Sequence, residues 1–313
     1  MWSVLADRRI LWSVSELRVA VFADGEVGNR ILSYFCEEYP DDLKAVCAFM
    51  PEMDAPFLSS GCTLMNGEAP EEAIAAQLRA CELDLVILAW WPKIVGKKII
   101  KSARLGCLNC HPSYLPYNRG KHYNFWTIVE ETRFGVTLHF VDEGIDTGDI
   151  VFQKEIHKTW LDTGKSLYCK AQSAMVDLFQ ESYPRIRQEE FVRCKQDDFE
   201  ATMHYSKELE NASELRRQQV YSWRQLLNLI RARTFRPHPA CYFFQNGKKV
   251  FIRSNVTLLA DKGKQYTQVS LDEKRKYHDV LQCDDITAGS YFVFDDEDRY
   301  FVEFTYEAEE ENP

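Results

Sequence analysis

The chain has 313 residues, 45% of them hydrophobic and 27% charged, which is enough for one large globular domain or two modest ones. Its net charge of -10 argues against a surface built to hold a nucleic-acid backbone. No apolar run is long enough to cross a bilayer, since the longest, Leu83 to Val95, is broken by Asp84, Pro92 and Lys93.

In chain order, the stretch Met1 to Glu16 carries Asp7, Arg8 and Arg9 in its middle, which does not suit a signal peptide. Residues 17–23 (LRVAVFA) form a short, valine-bearing apolar run that ends at Asp24-Gly25, and they read as a buried strand. Glu26 to Tyr39 places Val27, Ile31, Leu32 and Phe35 at helical spacing and stops at Pro40. A second strand is expected at 43–49 and a helix at 69–80, opened by Pro70, Glu71 and Glu72. Further on, 83–90 reads as a strong strand, 94–103 as a helix and 106–110 as another strand. Strands alternating with helices predict a Rossmann-like α/β fold with a mostly parallel sheet, whose ligands bind beyond the carboxyl ends of the strands. Gly25 and Gly28 fall short of the full glycine fingerprint of a dinucleotide site.

After residue 132 the pattern changes. GVTLHFV and IVFQKEI both alternate and flank GIDTGD, as in an antiparallel pair joined by a glycine-bearing loop. A long amphipathic helix is expected over 163–185. Polar residues at 195–212 mark a boundary between a domain at 1–200, with its core at about 17–185, and a smaller β-rich region at 201–313. In that region 223–233 reads as a helix, Asn246-Gly247 as a hairpin turn, and SYFVF and RYFVEFTY as a second strand pair before a frayed acidic tail. The ten cysteines follow no disulfide-framework spacing and read as reduced, mainly buried thiols of a cytoplasmic protein. Cys107 and Cys110 before His111 have a zinc-like spacing, but no second pair stands near them, so no metal is expected.

The segment LNCHPSYLPYNRG carries the chemistry. Asn109 and His111 are two residues apart at a strand end, so both side chains project to one side of an extended backbone. Pro112 keeps His111 out of helical geometry. An amide and an imidazole side by side suit acyl transfer, because both can donate to the oxygen of a tetrahedral intermediate. Taken alone, the same pair also fits turn and core hydrogen-bonding.

The residues around the pair resemble the folate-dependent formyltransferase family. The likeness rests on NCHPSYLP, Arg119-Gly120, GVTLH and DEGIDTGDI, in that order and spacing, and extends over about residues 17–185. It implies that Asn109, His111 and Asp146 are catalytic, that 10-formyltetrahydrofolate is the formyl donor and co-substrate, and that the acceptor is a primary amine. It further implies that the pterin is held by backbone groups of two loops, Ala89, Trp90, Trp91, Pro92 and Lys93 in one, and Val141, Asp142 and Gly144 in the other. Asp146 beside His111 is expected to raise the imidazole pKa and to accept the amine's proton. Asp142 and Asp149 are its rivals and read as a turn residue and a strand-end cap. A non-catalytic binding module on the same fold would have lost a catalytic residue, and none is lost.

The stretch YNRGKHYNFW is most similar to the branch acting on nucleotide-linked amino sugars, which implies a dTDP-linked 3-amino- or 4-amino-dideoxyhexose as acceptor. Arg119 and Lys121 would then meet the diphosphate, with Tyr117, Asn118, Gly120 and Tyr123 around the sugar or base; Phe125 and Trp126 share that role with plain core packing. Residues 213–255 resemble the region that forms dimers in that branch, so a homodimer is expected, with neither nucleic acid nor membrane as partner. A methionyl-tRNA enzyme is the alternative, and the acidic charge speaks against it.

Overall fold

The structure is a computed structural model and describes residues 16–49, 61–216, 219–262, 291–296 and 298–308. The expectations for residues 1–15, for Ser290 and for the acidic tail fall outside them. The chain divides into two compact units: one holds the described residues up to Leu108 together with Phe179–Val192, the other Asn109–Leu178 and the described residues from Arg193 onward.

In the first unit β1 (Val19–Ala23), β2 (Leu43–Ala48), β3 (Thr63–Asn66) and β4 (Leu83–Ala89) run parallel in the order β3-β2-β1-β4, and β5 (Ala103–His111) lies next to β4. All of β1 is buried, as its unbroken apolar run predicts for a strand covered on both faces. Helix α1 (Gly25–Glu38) buries Val27, Ile31, Leu32 and Phe35, the face that the spacing predicts. Helix α2 (Glu71–Ala80) starts after Pro70 and buries Ile74, Ala75 and Leu78. Phe35 and Tyr183 pack edge to face at 4.7 Å. Beside them the buried carboxylate of Asp42 accepts from Tyr183 Oη at 2.9 Å and from Arg187 Nε at 2.7 Å. Such a buried charge persists only because its partners replace water.

One expectation is corrected here, and one strand was not foreseen. The helix expected over 94–103 is only the single turn α3 (Lys97–Ile100), entered at Gly96, and residues from Ala103 already belong to β5. Strand β3 has no period-two pattern strong enough to announce it; Leu64 is exposed and only Met65 is buried.

The second unit begins with the last residues of β5, followed in the sheet by β7 (Gly135–Phe140) and β8 (Ile150–Glu155), which pair antiparallel. Between β5 and β7 lie the two-residue strand β6 (Arg119–Gly120) and α4 (Tyr123–Val129). The long helix α5 (Gly164–Arg187) follows, its residues from Phe179 belonging to the first unit, then β9 (Met203–His204), paired parallel to β6, and α6 (Glu208–Ser213). Helix α7 (Trp223–Ala232) begins with a reciprocal capping box between Ser222 and Gln225. A separate antiparallel sheet in the order β10-β11-β13-β12 is built from β10 (Cys241–Gln245), β11 (Lys248–Leu258), β12 (Tyr291–Asp296) and β13 (Asp298–Ala308). Asn246 and Gly247 both take positive φ in the β10–β11 turn, as a two-residue hairpin of this composition requires. Leu226, Leu227 and Ile230 of α7 share a core with Phe243, Ile252 and Val302 of this sheet. The fold is therefore α/β with a mostly parallel sheet and a separate small antiparallel region. Among the described residues no helix is long and apolar enough to cross a membrane.

Candidate active site

Strand alternation buries Cys110 and sends Asn109 and His111 to the other side of β5. Burial pushes the Cys110 thiol up, which favours its protonated form. Cys47, Cys107 and Cys241 are buried as well, whereas Cys169 and Cys194 are exposed, so the expectation of buried thiols holds for only some of them.

Three loops converge on the Asn109–His111 pair. After Pro112 the chain is pinned to β7 by Thr137, whose hydroxyl donates to Ser113 O at 2.7 Å and accepts from Leu115 N at 3.2 Å. The following loop brings Asn118 O to 3.4 Å from His111 Nε2 and aims the Gly120 N–H at Asp146 Oδ2, 2.9 Å away. The third loop joins β7 to β8. Asp142 shapes its first turn, accepting from Gly144 N at 3.0 Å and Thr147 Oγ1 at 2.6 Å, which is the turn role expected of it. Asp146 then adopts φ 55, a left-handed conformation that Asp tolerates better than most residues. Gly148 is needed because a Cβ there would lie 1.7 Å from Phe140 O.

The result is a compact polar centre. Asn109 Nδ2 lies 3.3 Å from Asp146 Oδ1 and 3.1 Å from His139 Nε2. His111 Nδ1 lies 3.5 Å from Asp146 Oδ2, and His139 Nε2 lies 3.7 Å from Asp146 Oδ1. His139 Nδ1 faces Phe140 O at 3.0 Å, a bond that assigns a proton to Nδ1. Nitrogen and oxygen donors of His111, His139 and Asp146 all lie within 4.8 Å of one another.

Burial pushes the His111 imidazole below its ordinary value; Asp146 opposes this and His139 adds to it. The expectation that Asp146 raises the pKa holds for the carboxylate's own effect, but desolvation outweighs it and the net shift is downward. Burial alone would push the Asp146 carboxyl up, yet His111, His139 and the Gly120 N–H outweigh it and hold the group well below the usual carboxylate range. Asp146 is therefore a fixed anion and a poor proton acceptor, while neutral His111 is the better base.

The other residues singled out in the sequence are distributed as follows. Arg119 is 6% exposed, and its guanidinium donates to Gln196 Oε1 at 3.0 Å and Asp198 Oδ1 at 2.8 Å. Asn118 is buried and donates to Thr132 Oγ1, and Tyr117 Oη donates to Glu200. Tyr123 and Phe125 are core residues, whereas Trp126 stacks on His204 with ring centroids 3.9 Å apart. Lys121 is exposed. In the first unit Ala89 ends β4 and Trp90 has φ 62. Trp91 stacks on Phe49 at 4.5 Å, and Lys93 bonds Gly67 O and Glu68. In the second unit Val141 is half-buried and Gly144 is exposed. Sequence reasoning left His139 and Gln196 without a role. Alternation along β7 from Gly135 puts His139 on the face of Thr137 and was a usable signal; Gln196 gave none.

Residues 42–182 match the formyl transferase family, and residues 208–258 match the N-formyltransferase dimerization C-terminal domain. A methionyl-tRNA formyltransferase of Syntrophus aciditrophicus is 32% identical over 178 residues, 55% of each chain, and the chain spans about half the length of the curated relatives it matches. Among solved structures, a 4-N formyltransferase from Francisella tularensis shares the fold with a TM-score of 0.63 at 24% identity, over 76% of this chain and 97% of its own. An N-formyltransferase from Helicobacter canadensis, in complex with folinic acid and dTDP-3-aminofucose, aligns over 93% of this chain and all of its own at 18% identity, with a TM-score of 0.61. The first of the two family matches spans the Asn109, His111 and Asp146 centre, so the likeness to the formyl transferase family includes the site.

Proposed function

We propose that the protein transfers the formyl group of 10-formyltetrahydrofolate to the primary amine of a nucleoside-diphosphate-linked amino sugar, a dTDP-linked 3-amino- or 4-amino-dideoxyhexose in the first instance. The observation that carries the reaction is the convergence of Asn109, His111 and Asp146 within 3.3–3.5 Å contacts. The amine nitrogen attacks the formyl carbon and forms the new C–N bond, and negative charge gathers on the formyl oxygen. Asn109 is the donor placed to meet that charge. His111, neutral before attack, takes the amine's proton, and the imidazolium so formed is stabilised by Asp146. Collapse breaks the carbon–nitrogen bond to the carrier, and the proton passes from His111 to the departing carrier nitrogen, so no covalent enzyme intermediate is needed.

The family likeness assigns Ala89, Trp90, Trp91, Pro92, Lys93, Val141, Asp142 and Gly144 to the folate. Tyr117, Asn118, Arg119, Gly120, Lys121 and Tyr123 are assigned to the acceptor. The Arg119 guanidinium is engaged by Gln196 and Asp198, and Lys121 is exposed. The net charge of -10 and the match of 208–258 to an N-formyltransferase dimerization domain favour a sugar acceptor and a homodimer. The 32% identical relative favours methionyl-tRNA as the second reading. Incubation with 10-formyltetrahydrofolate and a panel of thymidine-, uridine- and guanosine-linked amino sugars, alongside methionyl-tRNA, decides between them. A formyl mass gain on one sugar is the expected result, and turnover of methionyl-tRNA alone sinks the sugar reading.

A further inference from the structure

The segment after α5 is tied to the site along its length. Gln196 uses both amide hydrogens on the catalytic loop, donating to Asp146 O and Gly148 O at 2.8 Å each, and its Oε1 accepts from Arg119 Nε at 3.0 Å. Thr202 accepts from Asn118 N at 2.8 Å through its hydroxyl and from Arg119 N at 2.9 Å through its carbonyl. His204 O then accepts from Lys121 N at 3.0 Å. A Cβ on Gly120 would lie 2.2 Å from His204 O, so the two backbones are in close contact. These bonds grip the two loops that define the Asp146 carboxylate: its own, and the one whose Gly120 N–H it accepts.

We propose that Gln196 is a positioning residue for formyl transfer, fixing Asp146 in its left-handed backbone conformation and so holding its carboxylate against His111 and Asn109. The proposal rests on the reading of Asn109, His111 and Asp146 as the catalytic centre. A side-chain amide suits the task because it offers two parallel donors to two carbonyls and one acceptor to a guanidinium. Without it, Asp146 O and Gly148 O lose a partner, and a residue at φ 55 has less to hold it there. Displacement of a catalytic group by an ångström costs on the order of a hundredfold in rate.

The test uses Gln196→Ala, Gln196→Glu, Asp146→Asn and the double variants, each checked for folding by near-ultraviolet circular dichroism. Gln196→Glu keeps the length and the acceptor for Arg119 but lacks the two donors, so it stands in if the alanine variant fails to fold. Two quantities are read: kcat and KM for both substrates, and the titration midpoint of His111 by NMR without substrate. His111 faces Asp146, His139 and Lys121, of which only Asp146 raises its pKa. The expected result is a roughly tenfold to hundredfold loss of kcat with little change in KM. The His111 midpoint falls toward that of Asp146→Asn, and the Gln196 substitutions add nothing to either quantity in the Asp146→Asn background. A wild-type kcat in a folded variant, or an unmoved His111 midpoint, overturns the proposal. A shifted midpoint with no formyl transfer in the wild type instead overturns the functional reading and leaves the positioning intact.

Discussion

His111 is 5% exposed, and at that depth water no longer supports an imidazolium. Its pKa therefore sits below the ordinary histidine value even with a carboxylate beside it. An NMR titration should show His111 remaining neutral to more acid pH than a solvated histidine, and Asp146→Asn should depress the midpoint further by removing the one charge that raises it. The sign for folding follows: the unfolded chain takes up this proton at a higher pH than the folded one, so the contribution to stability is full above the unfolded pKa and is lost as pH falls toward the folded pKa. Asn109→Ala removes a donor to the developing oxyanion and should cost about 3 kcal/mol of barrier, a loss of roughly a hundredfold or more in kcat at saturating folate. A wild-type rate in this variant would show that the centre is misplaced. Asn109 and His111 were legible in the sequence because period two along a strand has a single geometric meaning. Asp146 was legible only through family likeness, since the loop conformation that turns it inward leaves no periodic trace. Gln196 was not legible, because its partners are backbone carbonyls, which every residue possesses.

Secondary elements were easiest to read where the hydrophobic pattern and the punctuation agree. Helix α1 has both, with Val27, Ile31 and Phe35 on one face and Pro40 just beyond its end. The turn at α3 had the apolar residues Ile94, Val95, Ile99 and Ile100 but not the caps; Ile94 is 84% exposed, and Gly96 starts the turn late. The β7–β8 connection depends on close backbone approach rather than on side-chain pattern. Gly148→Ala should force Phe140 and its neighbours apart and move the whole Asp146 loop. Urea unfolding should register a loss on the order of 1–3 kcal/mol, with activity falling further than stability alone explains. A variant with wild-type stability and rate would show that the loop relaxes without consequence.

At the level of the molecule, the Asn109, His111, His139 and Asp146 cluster belongs wholly to the second unit, as does the antiparallel sheet of the carboxyl-terminal region. Part of that sheet falls in the segment matched to a dimerization domain, and Phe244 is 47% exposed on β10. Light scattering after size exclusion should give twice the 36.5 kDa mass of the chain, and Phe244→Asp should shift the population toward the single chain. A monomeric wild-type protein at micromolar concentration would remove dimerisation from the reading. The acidic balance was visible from composition; that α5 contributes residues to both units was not.

The left-handed backbone at Asp146 has a bearing on how this position drifts among descendants. Stereochemistry there tolerates aspartate, asparagine and glycine best, whereas the proposed reaction uses the carboxylate. The cheapest genetic step away from activity is then a single-base change to asparagine, which keeps the loop, the Gln196 bonds and the shape of the cleft. Asparagine there is expected to leave the fold standing while removing the charge that the proposed reaction uses.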